Sequence, residues 1–172
     1  ILKMVFIRIL RQRQKLVEYN TIEDAVDLIK RCGRIVVLCG AGISVSCGIP
    51  DFRSKDGIYA ILARENRYEL DDPSDMFDKE TFLRDPNMFY SFAHSIYPAN
   101  FEPSPSHRFV REIEKRNKLL RMYSQNIDTL EQKAGIERVI QCHGSFASAT
   151  CTDPRCGYRM DGKEIRDDIL AK

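Results

Sequence analysis

Residues 34–44 read R-I-V-V-L-C-G-A-G-I-S, and this run indicates the fold class of the chain. Its first half is apolar, is rich in β-branched residues and ends at Gly40. Such a run, bounded by glycine, is typical of a strand buried in a parallel sheet. The Gly40-Ala41-Gly42 turn lets backbone amides approach a pyrophosphate without a Cβ in the way. Val45 replaces the third glycine of the usual dinucleotide-binding pattern, so a tight turn without a ligand is the alternative.

Two further apolar runs have the composition of strands, L-L-R-M-Y-S at residues 119–124 and R-V-I-Q-C at residues 138–142. Helical patterns separate the strand candidates, and each strand candidate is followed by a polar turn. This alternation of helices and strands predicts an α/β fold with a parallel sheet. Ligands of open α/β sheets bind outside the carboxyl ends of the strands, which is where the three turns fall.

Capping residues indicate where the helices begin and end. Thr21 is a predicted N-cap, and Gly33 is expected to end the same helix in a left-handed conformation. Three further helix starts are expected, near Ser74 or Asp75, at Asp85-Pro86 and at Ser104-Pro105. His107 lies in the first turn of the last of these helices, and we interpret it as a structural histidine because nothing nearby completes a site.

The loop after the first turn contains G-I-P-D-F-R-S at residues 48–54. Asp51, Phe52 and Arg53 place a carboxylate, an aromatic ring and a guanidinium side by side. A guanidinium suits a phosphate, and the face of an aromatic ring suits a flat ring system. The alternative is an ordinary charged surface loop, which a phenylalanine between Pro50 and Arg53 makes less satisfactory.

The other two turns carry polar side chains of different chemistry. Residues 125–128 read Q-N-I-D, and their amides and carboxylate can bind ribose hydroxyls or a carboxamide. The alternative is that Asp128 caps the following helix, and the two roles are compatible. His143 directly follows the third strand candidate. A neutral imidazole in this position can act as a general base toward a hydroxyl. A purely structural role is the alternative for this histidine.

Cys151 and Cys156 form a close pair with four residues between them, and Asp153-Pro154 is a plausible turn within it. Pairs with two to four intervening residues are typical of structural zinc sites. One pair supplies half of a tetrahedral ligand set. Cys142 would put the metal in the third turn, so we leave it out of the predicted ligands. The remaining cysteines, Cys32, Cys39 and Cys47, are expected in or near the core.

Charge and composition exclude several classes of partner. The 172 residues include 27 basic and 25 acidic side chains, so the whole chain gives no electrostatic case for binding nucleic acid. The opening I-L-K-M-V-F-I-R-I-L is too short and too charged to span a bilayer. No export signal is recognisable, so the six cysteines are expected to be reduced. A basic arm is predicted over residues 1–19, with Arg8, Arg11, Arg13 and Lys15.

Five motifs taken together resemble the sirtuin family of NAD-dependent protein deacylases. They are G-A-G-I-S, G-I-P-D-F-R-S, Q-N-I-D-T-L-E, C-H-G-S-F and the cysteine pair that follows. Each motif alone is weak, but this order and spacing are specific. The longer runs S-V-S-C-G-I-P-D-F-R-S-K-D-G-I-Y and Q-N-I-D-T-L-E-Q-K-A-G-I resemble the nuclear class I branch, the histone and transcription-factor deacetylases. The resemblance covers about residues 20–172.

The resemblance implies an incomplete sirtuin-type catalytic domain over residues 20–172. Residues 34–143 would form a partial Rossmann-like parallel sheet with helices on both faces and a helical insertion. Residues 144–172 would form the first half of a small zinc module, with Cys151 and Cys156 as ligands of a structural zinc. The family's first pair usually encloses two residues rather than the four found here.

The resemblance also implies a set of site residues. His143 would be the catalytic base, and Asn126 a second catalytic residue. The implied contacts to NAD come from the glycine turn, the loop after it and the second turn: Gly40, Ala41, Gly42, Ser44, Ile49, Pro50, Asp51, Phe52, Arg53, Tyr59, Gln125, Asn126, Ile127, Asp128 and His143.

The implied reaction transfers an acetyl group from a protein lysine to ADP-ribose and releases nicotinamide. The implied partners are acetylated proteins such as histones or transcription factors, with no sequence-specific nucleic acid and no membrane. The implied location is the nucleus, with the cytoplasm as a further compartment. The family's remaining NAD-binding segments and second cysteine pair are not in this sequence, so we expect an inactive fragment of the enzyme. The alternative is a non-catalytic scaffold that binds NAD, ADP-ribose or a protein partner.

Overall fold

The computed structural model of the chain describes residues 16–65, 70–97 and 101–171. The basic residues of the predicted N-terminal arm lie outside these ranges. Seven helices are described: α1 (Ile22–Arg31), α2 (Ile58–Glu65), α3 (Lys79–Arg84), α4 (Pro86–Ile96), α5 (Pro105–Lys115), α6 (Leu130–Lys133) and α7 (Arg166–Leu170). The described strands are β1 (Ile35–Cys39), β2 (Leu119–Ser124), β3 (Val139–Gln141), β4 (Ser148–Thr150) and β5 (Arg159–Asp161). Short 3-10 helices span Ala41–Ile43, Val45–Cys47 and Pro73–Phe77.

The first three strands form a parallel sheet in the order β1-β2-β3. The parallel α/β prediction is therefore confirmed, and the three predicted strands lie where the apolar runs placed them. Cys39 pairs with Ser124, and Ser124 pairs with Gln141, so the three strands end side by side. Because parallel strands run in one direction, the turns that follow them emerge at one edge of the sheet.

The two faces of this sheet differ in their cover. On one face Leu119 and Met122 are fully buried against Val110 and Ile113 of α5. The opposite face carries Val36, Leu38, Tyr123 and Ile140, which are 55%, 70%, 38% and 42% exposed. Parallel sheets normally have both faces covered. Among the described residues, the helices cover one face of the sheet, so the predicted helices on the second face are not seen there.

The capping predictions are confirmed at three of four helix starts. Thr21 and Asp24 form a capping box at α1, Asp85 caps α4 and Ser104 caps α5. The prediction near Ser74 is wrong, because the aspartates on either side of the 3-10 helix act as the caps, Asp72 before it and Asp78 before α3. The predicted end of α1 is also wrong. The helix stops at an extended Cys32, and Gly33 is not left-handed.

A second core lies beside the sheet, under the inserted helices. It is formed by buried apolar side chains of α2, α4 and the 3-10 helix between them: Ile58, Leu62, Met76, Phe92 and Ile96. The antiparallel hairpin β4–β5 and helix α7 pack on the other side of α4, where Ile169 meets Ala93 and Tyr97. No helix in the described ranges has the length and apolar character needed to cross a bilayer.

Candidate functional site

A cavity of about 630 Å³ opens at the edge of the sheet where the three strands end. Each strand-end turn contributes to its wall. Ala41 follows β1, Gln125, Asn126 and Ile127 follow β2, and His143 follows β3. The structure therefore brings the three predicted turns together. Phe52, Arg53 and Tyr59, from the loop after the first turn and the start of α2, line the same cavity.

The first turn leaves open space where the sequence predicts a close backbone approach. Its residues Ala41–Ile43 form a 3-10 helix directly after Gly40. A Cβ at Gly42 would meet no atom within 4 Å. This turn is bonded to the turn after β2, because the Gly40 carbonyl accepts a hydrogen bond of 3.2 Å from Asn126 Nδ2. A ligand group can therefore reach this backbone from the solvent side.

The loop at residues 49–53 is fixed by a close approach to Gly57. The Ile58 amide donates to the Asp51 carbonyl at 2.7 Å, and the Tyr59 amide donates to the Phe52 carbonyl at 3.2 Å. A Cβ at Gly57 would lie 2.6 Å from Asp51 Oδ1 and 2.7 Å from the Asp51 carbonyl oxygen. A side chain at position 57 would therefore displace the loop that carries Phe52.

Phe52 belongs to an aromatic wall and is not an isolated surface side chain. Its ring centroid lies 5.7 Å from that of Tyr59 and 5.3 Å from that of Phe77. The next residue, Arg53, is exposed and also lines the cavity. Asp51 turns away from this arrangement. Its Oδ1 accepts from the Ser54 amide at 2.9 Å, and this bond lowers the pKa of Asp51.

The Asn126 side chain is oriented by two acceptors at the end of β1. Its Nδ2 donates to the Gly40 carbonyl and to Ser44 Oγ, each at 3.2 Å. Both amide hydrogens are thereby used. Among the described residues, none donates to Asn126 Oδ1. This oxygen is the atom of the buried residue that is left to accept a hydrogen bond from a ligand.

Asp128 stabilises the turn from within the core. Its Oδ2 accepts from Ser44 Oγ at 2.7 Å, and its Oδ1 accepts from the Leu130 amide at 3.0 Å. Asp128 and Ser44 are 5% and 1% exposed. The prediction that Asp128 is the N-cap is wrong by one residue, because Thr129 occupies that position in α6, although the Asp128 carboxylate still accepts from the first amide of the helix. Contact between Asp128 and a ligand stays a prediction.

His143 has the geometry of a proton acceptor. It is exposed, it lines the cavity, and its Nδ1 lies 3.1 Å from the Gln125 carbonyl oxygen. A carbonyl oxygen can only accept, so Nδ1 carries the hydrogen and Nε2 keeps its lone pair. The Gln125 amide in turn donates to the Cys39 carbonyl at 3.0 Å, which attaches this pair to the end of β1.

Several predicted contacts lie behind the main cavity rather than on its wall. Ser44, Ile49, Pro50 and Asp128 line a second cavity of about 30 Å³. The two cavities share Ala41, Phe52, Asn126 and Ile127 as walls. The four predicted contacts that line only the second cavity therefore support the wall of the main cavity from inside the protein. Gly40, Gly42 and Asp51 line neither cavity.

Sequence reasoning missed most of the aromatic wall of the main cavity. That wall is formed by side chains of the third 3-10 helix, α3, α4 and the loop after β3, namely Phe77, Phe82, Phe89, Tyr90 and Phe146. The apolar spacing of α4 is visible in the sequence, but spacing does not tell a helix face on a cavity from a helix face in the core. Phe146 is placed by two long-range contacts. Its amide donates to the Ile127 carbonyl at 3.0 Å, and its ring lies 5.6 Å from Tyr97.

His107 is a structural histidine, as the sequence suggested. It is fully buried, and its Nδ1 accepts from the Ser104 amide at 3.2 Å. Burial lowers the pKa of His107, and the nearby Asp128 charge only partly offsets this effect. The imidazole is therefore neutral. Cys39 is likewise part of the interior, where burial raises the pKa of its thiol. The prediction is wrong for Cys32, which is exposed.

The two cysteines of the predicted zinc module lie between β4 and β5. Both are exposed and have free thiols. The expected turn at Asp153-Pro154 is present, because the Cys156 amide donates to the Asp153 carbonyl at 3.0 Å. Within the described ranges, no three His, Cys, Asp or Glu side chains are grouped to hold a metal. The zinc site stays a prediction.

Comparison with known proteins identifies the family of this arrangement. The sequence profile of the Sir2 family matches residues 40–172, which include all three strand-end turns and both cysteines of the hairpin. The chain belongs to the Sir2 family. A solved structure described as "Structural Basis for the Mechanism and Regulation of Sir2 Enzymes" matches with a TM-score of 0.70 at 33% identity. That match covers 87% of this chain and 56% of the other, and it supports the observed fold.

Three relatives show how much of a Sir2 protein the chain represents. It is 58% identical to the NAD-dependent protein deacetylase sir-2.1 of Caenorhabditis elegans over 92% of the chain and 26% of that protein. It is 57% identical to the NAD-dependent protein deacetylase sirtuin-1 of Homo sapiens, over 92% of the chain and 21% of that protein. It is 50% identical to the NAD-dependent histone deacetylase sir2 of Schizosaccharomyces pombe, over 98% and 35%. The chain thus spans between a fifth and about a third of these relatives.

Proposed function

We propose that the protein containing this chain is an NAD-dependent protein-lysine deacetylase. The observation that carries the proposal is the single cavity shared by Ala41, Asn126 and His143, each at the end of a different parallel strand. The relatives described above are NAD-dependent deacetylases by name. A histidine beside an open cavity could serve several reactions, and the names of these relatives favour NAD-dependent deacetylation among them.

The residues of the cavity fit NAD. Ala41 of the glycine turn lies on the cavity wall, where its backbone can meet a phosphate, and the Arg53 guanidinium supplies the positive charge. The Phe52 ring offers an apolar face to a flat nicotinamide. Asn126 Oδ1 is placed to accept a hydrogen bond from a ribose hydroxyl. Most of these groups are held by contacts within the protein, so the cavity wall is formed before a ligand binds.

His143 is the proposed general base. The bond from Nδ1 to the Gln125 carbonyl sets the tautomer, and Nε2 is left to take a proton from a hydroxyl. Bound NAD supplies an activated ribose carbon with nicotinamide as its leaving group. A positioned base of this kind contributes about a hundredfold to ten-thousandfold to a rate. His143 requires no metal for this step, because an imidazole removes such a proton by itself.

We also propose the substrates and the compartment. The substrates are acetylated lysines in proteins, with histones and transcription factors as the first class to test. Support comes from the Drosophila melanogaster and S. pombe relatives, which are named histone deacetylases. The proposed location is accordingly the nucleus, with the cytoplasm as a further compartment. Immunofluorescence of the tagged protein in its own cells tests the location.

Zinc belongs to the proposal as a structural ion. Cys151 and Cys156 would supply two thiolate ligands, and two more are needed for a closed tetrahedral site. The described residues do not supply them. The chain therefore fits half of a zinc site, and no catalytic step is assigned to the metal. Metal analysis of the protein as its organism makes it, with and without the Cys151→Ser change, tests this assignment.

Turnover of an acetylated peptide by that same full protein tests the proposed function. We expect NAD-dependent release of the acetyl group, and at least a hundredfold loss of the rate in H143A. NAD affinity should stay within about threefold, because the imidazole acts in proton transfer. H94A serves as the control, since His94 is an exposed histidine of α4 that does not line the cavity. Unchanged turnover in H143A contradicts the assignment, and binding without turnover favours the non-catalytic scaffold.

A further inference from the structure

Glu131 is a buried acid in a place where no cation neutralises it. It lies in α6, just behind the turn at residues 125–128, and its side chain is fully buried. None of the ion pairs among the described residues includes it. Removing a carboxyl group from water without a partner is strongly unfavourable. Its retention here calls for a compensating contact.

That contact is the Ser124 hydroxyl, the last side chain of β2. Ser124 Oγ donates to Glu131 Oε1. Ser124 Oγ also accepts a hydrogen bond from the Asn126 amide at 3.1 Å. A hydroxyl has one hydrogen to give. Because that hydrogen is directed to Glu131, a lone pair of Ser124 is directed to the Asn126 amide. The acid therefore orients the hydroxyl that holds the backbone of Asn126.

The turn needs such support because its backbone is strained. Thr129 adopts φ 57° and ψ 12°, in the left-handed region that β-branched residues rarely occupy. A residue stays in this region only where the surrounding structure holds it there. The side chain of Asn126 is fixed from the β1 side by Gly40 and Ser44. Its backbone amide is fixed from the opposite side by Ser124.

We propose that Glu131 is a positioning residue that acts through Ser124 to hold Asn126 in the cavity wall. Its effect on NAD binding rests on the proposed function, but the positioning does not. The second carboxyl oxygen, Oε2, is buried and has no partner among the described residues. Burial also raises the pKa of Glu131, with the Ser124 bond opposing and the Asp128 charge adding to the shift. Glutamine keeps a carbonyl acceptor for the Ser124 hydroxyl and should therefore preserve the positioning role.

Amide hydrogen exchange of the full protein that contains this chain, measured residue by residue with mass spectrometry, tests the proposal without any ligand. E131L keeps the volume and removes the acceptor, and we expect the Asn126 amide to exchange at least tenfold faster. E131Q keeps the acceptor and should stay within about threefold of the wild type. Q132L, an exposed neighbour on the same helix, is the matched control and should change nothing. The amides of α5 serve as the internal reference for global stability.

The outcomes separate this proposal from the proposed function. NAD affinity should fall about tenfold in E131L and less than threefold in E131Q. If the wild type does not bind NAD, the proposed function fails and the exchange rates still decide the role of Glu131. Wild-type exchange at Asn126 in E131L overturns the positioning role. Equal rates in E131L and E131Q, or equal acceleration throughout α5, overturn it as well.

Discussion

The turn at residues 125–128 and the loop at residues 151–158 are held in opposite ways. In the turn, Asn126 and Asp128 are buried and bonded to groups more than 80 residues away in sequence, Gly40 and Ser44. In the loop every residue is exposed. Its strongest side-chain contact joins Arg155 to Asp153, two residues apart, at 3.0 Å. The turn is thus built by long-range contacts, and the loop by local ones.

This difference separates a site formed by the protein from a proposed metal site that would depend on its ligand. Buried hydrogen bonds fix side chains because breaking one leaves a polar group without water. Exposed turns gain little from their own contacts and exchange them readily for water. The strand-end cavity is therefore expected to exist in the free protein. The cysteine loop is expected to gain its final geometry when a metal joins the thiolates.

The largest effect is expected at the junction between the two regions. A Cβ at Gly162 would lie 1.8 Å from the Phe146 carbonyl oxygen. The backbone is held by hydrogen bonds at both positions. The Gly162 amide donates to the Ala147 carbonyl at 2.9 Å, and the Phe146 amide donates to the Ile127 carbonyl at 3.0 Å. Gly162→Ala should therefore lower the free energy of unfolding by about 3 kcal/mol.

Urea unfolding followed by circular dichroism measures this change. Gly33→Ala is the control, because a Cβ there meets no atom within 4 Å and the backbone is not left-handed. Equal stability of the two variants would show that the hairpin is not locked to Phe146.

A smaller effect is expected on the sheet side. The carboxylate of Glu114, in α5, accepts from the amides of Arg138 at 2.7 Å and Glu137 at 3.2 Å, and from Arg111 at 2.6 Å. Burial alone would raise the pKa of Glu114, but these hydrogen bonds outweigh it and lower the pKa. E114A leaves two backbone amides without their acceptor and should cost about 2 kcal/mol at pH 7.

The pH dependence has a definite sign. The folded-state pKa of Glu114 is below the unfolded value of about 4.3, so its contribution is complete above that pH. It is lost as the pH falls through the lower folded-state pKa, and the gap between wild type and E114A should then close. E112A is the control, since that glutamate forms exposed ion pairs with Lys115 and Arg116. A gap that persists in acid would contradict the account.

The smallest effect is expected in the loop itself. Replacement of both cysteines, C151S with C156S, removes exposed thiols that belong to no disulfide. Without metal, the midpoint of thermal unfolding should shift by less than about 2 °C. Differential scanning fluorimetry in the presence of a chelator measures the shift. A loss of 5 °C or more would show that the loop contributes to the fold before any metal binds.

The sequence predicted the sheet well because its signals are local. The run at residues 35–39 is apolar and is followed by glycine. The pairs Asp85-Pro86 and Ser104-Pro105 begin helices through contacts with their own backbone. The same logic failed near Ser74, where several neighbouring polar residues can cap. Local signals cannot rank equivalent caps, because the choice depends on how the 3-10 helix packs on Phe52 and Phe92.

The site was predictable in its strand-end turns and not in its supports. The turns stand out because polar residues follow apolar runs. Ser124 and Glu131 give no such signal, since their partnership depends on the angle between β2 and α6. Phe146 gives no sequence signal either, because its position on the cavity depends on the long-range contact of its ring with Tyr97. Residues that act through long-range packing are the ones that the sequence alone does not reveal.

The claim that the three turns form one NAD site is tested most directly by hydrogen exchange with and without NAD. The account predicts that NAD slows exchange together at residues 40–44, 125–128 and 142–146, with no change at residues 151–158. Protection of a single turn would contradict it, as would protection at the cysteine loop instead of the turns. No protection at any turn, at saturating NAD, would contradict the claim altogether.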